Sequence, residues 1–401
     1  MTHLQTALHS TPSESEGADP SVCRLSPDDG NSYFFGYYEK SPYDLAGEKV
    51  LAGRASFQDR MPSPDDVLTV GFLDVKSAHA GQPVFTPLAD TRAWCWQQGT
   101  MLQWLPPAFD RAIIFNDREG NQFCSRILDI TTGETRTLSR PVYAVDPQGR
   151  YALSLNFARL ARTRPGYGYE GGHDEYGNQN CPDRDGLWRV PLDGGEPSLI
   201  LSLRDAARLG QSDEGMDTEH WFNHVQVNPD GSRAAFLHRW RHGPHEWRTR
   251  LITVNPDGSD PHVLANSGFY SHYDWIDRDQ LVGWTDHGCS RDSYLVQRDR
   301  TEEMQVIGDG ILDCDGHMSL SPDGCWMLSD TYPDQEHMRT LFVWPWRDGP
   351  RRVIGKYFAP PSLEGPIRVD LHPRWRRDGR AVCIDSAHQG VRGMYEILFT
   401  E

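Results

Sequence analysis

Four histidines stand at one recurring position of the chain: His224 in NHVQVNPDG, His272 in SHYDWIDRDQ, His317 in GHMSLSPDG and His372 in LHPRWRRDG. Each lies six residues before an Asp or Arg of the next turn, and successive members are 48, 45 and 55 residues apart. Converging neutral imidazoles can bind a divalent metal, and a neighbour such as Asp315 or Gln226 could complete or orient the shell. The competing role for each ring is a hydrogen bond to an adjacent strand inside a polar channel.

The spacing itself says what must hold these rings. A period near 45 residues belongs to repeats that each fold as one propeller blade, whereas a β-sandwich would not produce it. Short strand-like runs fall into seven sets, beginning with FFGYYEKSPY, KVLAGRAS, LTVGFLDV and PVFTPL and ending with LHPRWR, AVCIDS and MYEILFT. The last set has only three runs, so SVCRLS at 21–26 is expected to supply its fourth strand and close the ring. The turns DPQG (146–149), NPDG (228–231), SPDG (321–324) and RRDG (376–379) recur between the first and second strand of a blade, where Gly accepts a positive φ. The expected fold is all-β: a seven-bladed β-propeller of four-stranded blades, one domain over 21–401 after a polar, disordered tail at 1–20. A short helix is expected near Leu203 to Leu209.

Composition narrows the function. With 37 Gly, 28 Pro and 11% aromatic residues in 401, the chain suits many short strands and tight turns. A formal charge of −17 argues against a nucleic-acid groove, which needs basic charge against phosphates. No stretch approaches a membrane span, no leader is recognisable at the N-terminus, and eight scattered cysteines without a CxxC pair suggest reduced thiols. A cytosolic protein is expected, with no nucleic-acid or membrane partner; no feature sets an oligomeric state.

In a propeller, first-strand starts and second-strand ends share one face. The histidines would therefore meet Asn156 and Arg159 of LNFAR, His238 and Arg239 of LHRW, Asp286 and His287 of WTDH, Asp330 and Tyr332 of SDTY, and Asp385 and His388 of DSAH. The segment 162–185 is too long for a hairpin and reads as a lid carrying Arg162, Arg164, Tyr167, Tyr169, His173 and Tyr176 over the mouth. Asn156, Arg164, Tyr169, His238, Arg239 and His388 are the expected substrate-binding residues, and Arg159, Arg162 or Arg164 could clamp a carboxylate. Met101, Val142 and Tyr38 fill the histidine slot in the other blades. His220, His242 and His245 read as surface residues, and Trp94, Trp96 and Trp104 as inter-blade packing. No GxSxG elbow, P-loop or GxGxxG context is present.

The blade turns resemble those of TolB and prolyl-oligopeptidase propellers. FNHVQVNPDGSRAAFLHRW, DGHMSLSPDGCWMLSD and LHPRWRRDGRAVCIDS resemble the oligogalacturonate lyases, a cytosolic family of seven-bladed polysaccharide lyases, over roughly 220–390. The resemblance implies His224 as base, Arg162 or Arg159 as assisting cation, and a divalent ion, typically manganese, held by His272, His317 and His372. The chain departs from that family in having no clear Gln-x-x-His-x-His cluster.

The chemistry is coherent on its own terms. Elimination from a uronate removes the C5 proton, a metal or Arg stabilises the enolate-like charge, and His or Tyr moves the proton. His224 with Tyr332 or Tyr270 could fill those roles. The expected function is a lyase acting on an acidic, uronate-containing oligosaccharide. The alternatives are a sugar hydrolase using carboxylates among Asp286, Asp315, Asp330 and Asp385, and a non-catalytic propeller that binds sugar or protein.

Overall fold

The glycines of the four repeated turns share one backbone conformation, with φ of +72° at Gly149, +72° at Gly231, +70° at Gly324 and +73° at Gly379. At Gly231 the space is as restrictive as the angle, since a Cβ there would come within 2.0 Å of Asp146 Oδ1 from the neighbouring blade. These turns reverse the chain between the first two strands of a blade, and the strands that follow them are buried almost throughout, as strands packed on both faces are. The fold is known from a computed structural model that describes residues 20–209, 216–244, 246–286, 288 and 292–399.

Seven four-stranded antiparallel sheets form the body, each with its strands in sequence order except the last. Blade one runs from Ser32 to Thr91, blade two from Gln103 to Leu138, blade three from Ala144 to Ser202 and blade four from His220 to Gly268. Blades five and six run from Tyr270 to Ile307 and from Ser319 to Phe358. Blade seven joins Arg374–Trp375, Ala381–Ser386 and Gly393–Leu398 to the N-terminal strand Ser21–Arg24, which pairs Ser21 with Leu398 and Arg24 with Tyr395. The seven-bladed propeller and its N-terminal closure are therefore as the sequence predicts, and the blades pack through shared clusters of buried apolar residues.

Two local expectations need correction. Blade three's second strand stops at Ser154, and the residues after it form a helix, Phe157–Thr163, instead of strand end and loop. Asn156 caps it, its side chain accepting from Arg159 N, while Phe157 and Leu160 bury one face. His220 is also no surface residue: it is buried, and its Nδ1 lies 2.9 Å from His238 Nε2. The expected helix after blade three is present at Leu203–Arg208, with Ser202 as its cap. Trp94, Trp96 and Trp104 are buried, and their indoles donate to the carbonyls of Asp66, Arg60 and Pro42, in keeping with a packing role.

Among the described residues no helix is long and apolar enough to cross a membrane, and the seven described cysteines are unpaired. The N-terminal segment read as a tail, except Pro20, and His245, His287 and Cys289 lie outside the described residues.

Candidate functional site

Two kinds of backbone irregularity aim three of the four histidines. His224 lies where the first and second strands of blade four slip register between Asn223 and Gln226, and His272 lies in the matching slip between Tyr270 and Tyr273. Such bulges redirect a side chain away from the pleat. His224 and His372 also adopt left-handed backbone, with φ of +51° and +41°, and Met101, which fills the same slot in blade two, has +53°. Non-glycine residues rarely hold this conformation unless the surroundings impose it.

The four rings do converge. Ring centroids lie 6.0 Å apart for His224 and His272, 4.3 Å for His272 and His317, and 4.4 Å for His317 and His372. At their centre stands Tyr37, whose ring is 4.8 Å from that of His224, 5.0 Å from His372, 5.9 Å from His317 and 6.4 Å from His272. Its hydroxyl lies 3.2 Å from His224 Nε2, while His224 Nδ1 has no hydrogen-bond partner. All four histidines are at most 6% exposed.

Carboxylates fix the orientation of two rings. Asp315 Oδ1 is 2.9 Å from His272 Nδ1, and Asp330 Oδ1 is 2.9 Å from His317 Nδ1. Each arrangement leaves Nε2 as the nitrogen turned away from the carboxylate, the usual way a protein prepares an imidazole to bind a metal. His317 Nε2 and His372 Nε2 have no hydrogen-bond partner, and with the Asp370 carboxylate they form a group whose ligand atoms all lie within 4.8 Å of one another. Burial would raise the Asp370 carboxyl, but Arg368 Nε at 2.8 Å and Arg339 Nη2 at 2.7 Å reverse that and hold it far below the usual range. The structure thus has a possible metal site of two imidazoles and one carboxylate, with His272 beside it.

Charge around His224 is of the other sign. Burial, then the Arg239 guanidinium and the neighbouring His272, push the His224 imidazole well below its ordinary value, so it is neutral at physiological pH. Burial and the nearby Arg164 also push Arg239 down to about 10. Arg239 Nε and Nη1 have no hydrogen-bond partner; its guanidinium lies 5.8 Å from the Trp247 ring, and that of Arg164 lies 4.7 Å from the same ring. The buried Arg239 and the half-buried Arg164, both near the Trp247 ring, put positive charge beside a neutral imidazole, an arrangement suited to an anion.

Several other expected residues do not reach the cluster. Arg159 donates to the carbonyls of His220, Tyr176 and Gln179, so it staples the lid segment to blade four. Arg162 is paired with Asp174 and Glu219 on the outer side of that segment. Asn156 donates from its amide to Asp174 and Asp185 besides capping the helix. Tyr169 stacks on Phe157 at 4.3 Å, His238 is occupied with His220, and His388 sits against Tyr357 and Tyr395. Gln226 donates to the Tyr273 carbonyl and Tyr270 to Gln297, so neither faces the rings. Tyr332 does: 41% exposed, its ring lies 6.2 Å from that of His317 and marks the approach to the cluster.

Tyr37 and Asp370 are the residues that sequence reasoning passed over. Tyr37 precedes Tyr38, the residue assigned to the blade-one slot; Tyr38 lies close by but donates to the Tyr273 carbonyl. Asp370 stands two residues before His372, close enough in sequence to share its site. Tyr37 is held from across the ring seam. The buried Arg374 donates to the carbonyls of Gly36 and Tyr37, and Asp385, bound to Arg374 at 3.1 and 2.9 Å, accepts from the amides of Phe35 and Gly36. Gly36 has φ of +133°, and a Cβ there would lie 2.7 Å from the backbone of Gln98.

No protein-family model and no curated protein matches the chain. Among solved structures, an oligogalacturonate lyase in complex with manganese superimposes with a TM-score of 0.69 at 19% identity, over 98% of this chain and 96% of that one. The oligogalacturonate lyase of Vibrio parahaemolyticus gives 0.67 at 15% identity over 98% of each chain. The propeller domain of the Pyrococcus furiosus trilobed protease gives 0.52 at 10% identity, over 91% of this chain and 96% of that domain. At such identities the likeness is one of architecture: the chain has the seven-bladed propeller fold that solved oligogalacturonate lyases also have.

Proposed function

We propose that this protein is a lyase that cleaves a uronic-acid-containing oligosaccharide by β-elimination. The observation that carries the reading is the neutral His224 imidazole with an unpartnered nitrogen, set beside the buried and incompletely bonded guanidinium of Arg239. A neutral imidazole can accept the C5 proton. A guanidinium beside it pairs with the uronate carboxylate and stabilises the negative charge that develops on it as that proton leaves. Arg239, together with Arg164, takes the role first assigned to Arg159 and Arg162, whose donors are committed to the lid.

His317, His372 and Asp370 would hold a divalent cation, with His272 adjacent, and the donor set of imidazole and carboxylate suits manganese among others. Such an ion would add Lewis-acid stabilisation of the substrate's carboxylate. The chain's own residues position the rest: Asp315 and Asp330 orient their imidazoles, and Tyr332 borders the entry.

The hydrolase alternative has less support, because Asp315, Asp330 and Asp385 are already bound to His272, His317 and Arg374. Incubation with a panel of uronate oligomers, followed by the ultraviolet absorbance of the unsaturated product, tests the proposal. His224→Ala should lower turnover by about 10²- to 10⁴-fold with the fold intact. No absorbance increase on any uronate oligomer would refute the lyase reading and favour a sugar- or protein-binding propeller.

A further inference from the structure

The hydroxyl of Tyr37 and the Nε2 of His224 are 3.2 Å apart, which constrains the stereochemistry of any elimination they share. In a β-elimination the hydrogen on C5 and the oxygen on C4 leave either from the same side of the sugar ring or from opposite sides. Opposite departure requires the base and the acid to sandwich the ring. Departure from one side allows them to be neighbours, joined by a hydrogen bond.

We infer that Tyr37 is the general acid to His224 as base, that the two work from one face, and that the substrate is a uronate whose C4 oxygen and C5 hydrogen lie on the same face. This inference rests on the lyase reading and sharpens it. In a gluco- or manno-configured uronate the C4 oxygen is equatorial and gauche to the axial C5 hydrogen, whereas in a galacto-configured uronate the two are trans-diaxial. The site therefore fits the gluco or manno series, unlike the substrate named for the solved lyases that share this fold.

The proton count closes. His224 starts with its hydrogen on Nδ1 and takes the C5 proton on Nε2, the nitrogen beside the Tyr37 hydroxyl. The C–H pair becomes the C4–C5 double bond, the C4–O bond breaks, and the leaving oxygen takes the phenolic proton of Tyr37. The Nε2 proton then crosses to the phenolate. Both groups are then back in their starting protonation states.

The surroundings suit a fixed acid. Arg374 and Asp385 grip the backbone of residues 35–37 from the far side of the seam, and Gly36 is pressed against Gln98, so the phenol is held by backbone contacts as well as by packing. A Tyr present only to fill the channel would not need its hydroxyl.

The test compares a β-1,4-linked glucuronate trimer with an α-1,4-linked galacturonate trimer, and wild type with Tyr37→Phe. Tyr37→Phe, checked for an unchanged melting temperature, should lose about 10²- to 10⁴-fold in kcat on the glucuronate trimer with KM within a few-fold. A glucuronate carrying 4-nitrophenol at C4 needs no acid, and on it the variant should recover to within a few-fold of wild type; a merely structural role would not give that rescue. The wild type should turn over the glucuronate trimer at least tenfold faster than the galacturonate trimer. Preference for the galacturonate trimer, or full activity of Tyr37→Phe on the sugar leaving group, would overturn the inference while leaving the lyase reading standing. Absence of elimination from both trimers and from the rest of the uronate panel would end both.

Discussion

Replacing Asp385 by Asn removes the negative charge from a buried ion pair. Arg374 and Asp385 have side chains at most 3% exposed, and two guanidinium nitrogens reach the carboxylate at 3.1 and 2.9 Å. Breaking a buried pair on one side costs about 3–5 kcal/mol, because the remaining charge is left buried and unpaired. For a domain of this size each kcal/mol is worth roughly 2 °C in melting temperature, so Asp385→Asn should melt about 6–10 °C below wild type. Thermal unfolding followed by circular dichroism reads this directly. The double variant Arg374→Met with Asp385→Leu, which removes both charges, should recover only part of the stability, because it leaves the carbonyls and amides of residues 35–37 without these partners. It should not recover activity, because neither replacement can hold the Gly36 and Tyr37 carbonyls. If Asp385→Asn melts within 2 °C of wild type, the bracket does not hold the seam in the way described.

Three further outcomes follow from the same geometry. Gly36→Ala should cost stability and activity together, since its Cβ would sit 2.7 Å from the Gln98 backbone at a φ unfavourable to alanine; melting and turnover check it. His238 is held well below its ordinary value by burial, then by His220 and Arg250, so it stays neutral in the fold while the unfolded chain protonates near pH 6.5. Its stabilisation is thus complete above that pH and lost as pH falls: His238 alone accounts for about 1 kcal/mol of the loss between pH 6.5 and 5.5 in denaturant titrations, and His238→Phe should reduce the slope by that amount. Manganese at about a hundredfold over its dissociation constant should stabilise the protein by about 2.7 kcal/mol in a thermal shift assay, and His317→Ala should abolish the shift.

The architecture was legible because it depends on local, repeated chemistry. A Gly that must take positive φ recurs in four turns, the histidines keep step with them, and a missing strand in blade seven matches a spare one at 21–26. The convergence of His224, His272, His317 and His372 followed from placing the strands. What was not legible depends on contacts between distant residues. Nothing local distinguishes Tyr37 from Tyr38; the distinction comes from Arg374 and Asp385, more than 330 residues further along the chain. The arginines of the 159–164 segment looked equivalent in sequence. They part company only in the fold, where backbone carbonyls take Arg159, acids take Arg162, and Arg164 turns inward toward Trp247. The helix at Phe157–Thr163 was hidden for a related reason: its capping Asn and buried Phe also fit the end of a strand.

The left-handed backbone at Met101, His224 and His372 bears on how such a site could arise. Because methionine carries the same strained angle in a blade without a histidine, the bend belongs to the scaffold and not to the imidazole. The propeller supplies an aimed position in one blade after another, and a change of side chain is enough to recruit each. A site of this type can grow around the ring by point substitution, and Met101→His would ask whether a fifth blade can be enlisted at no further backbone cost.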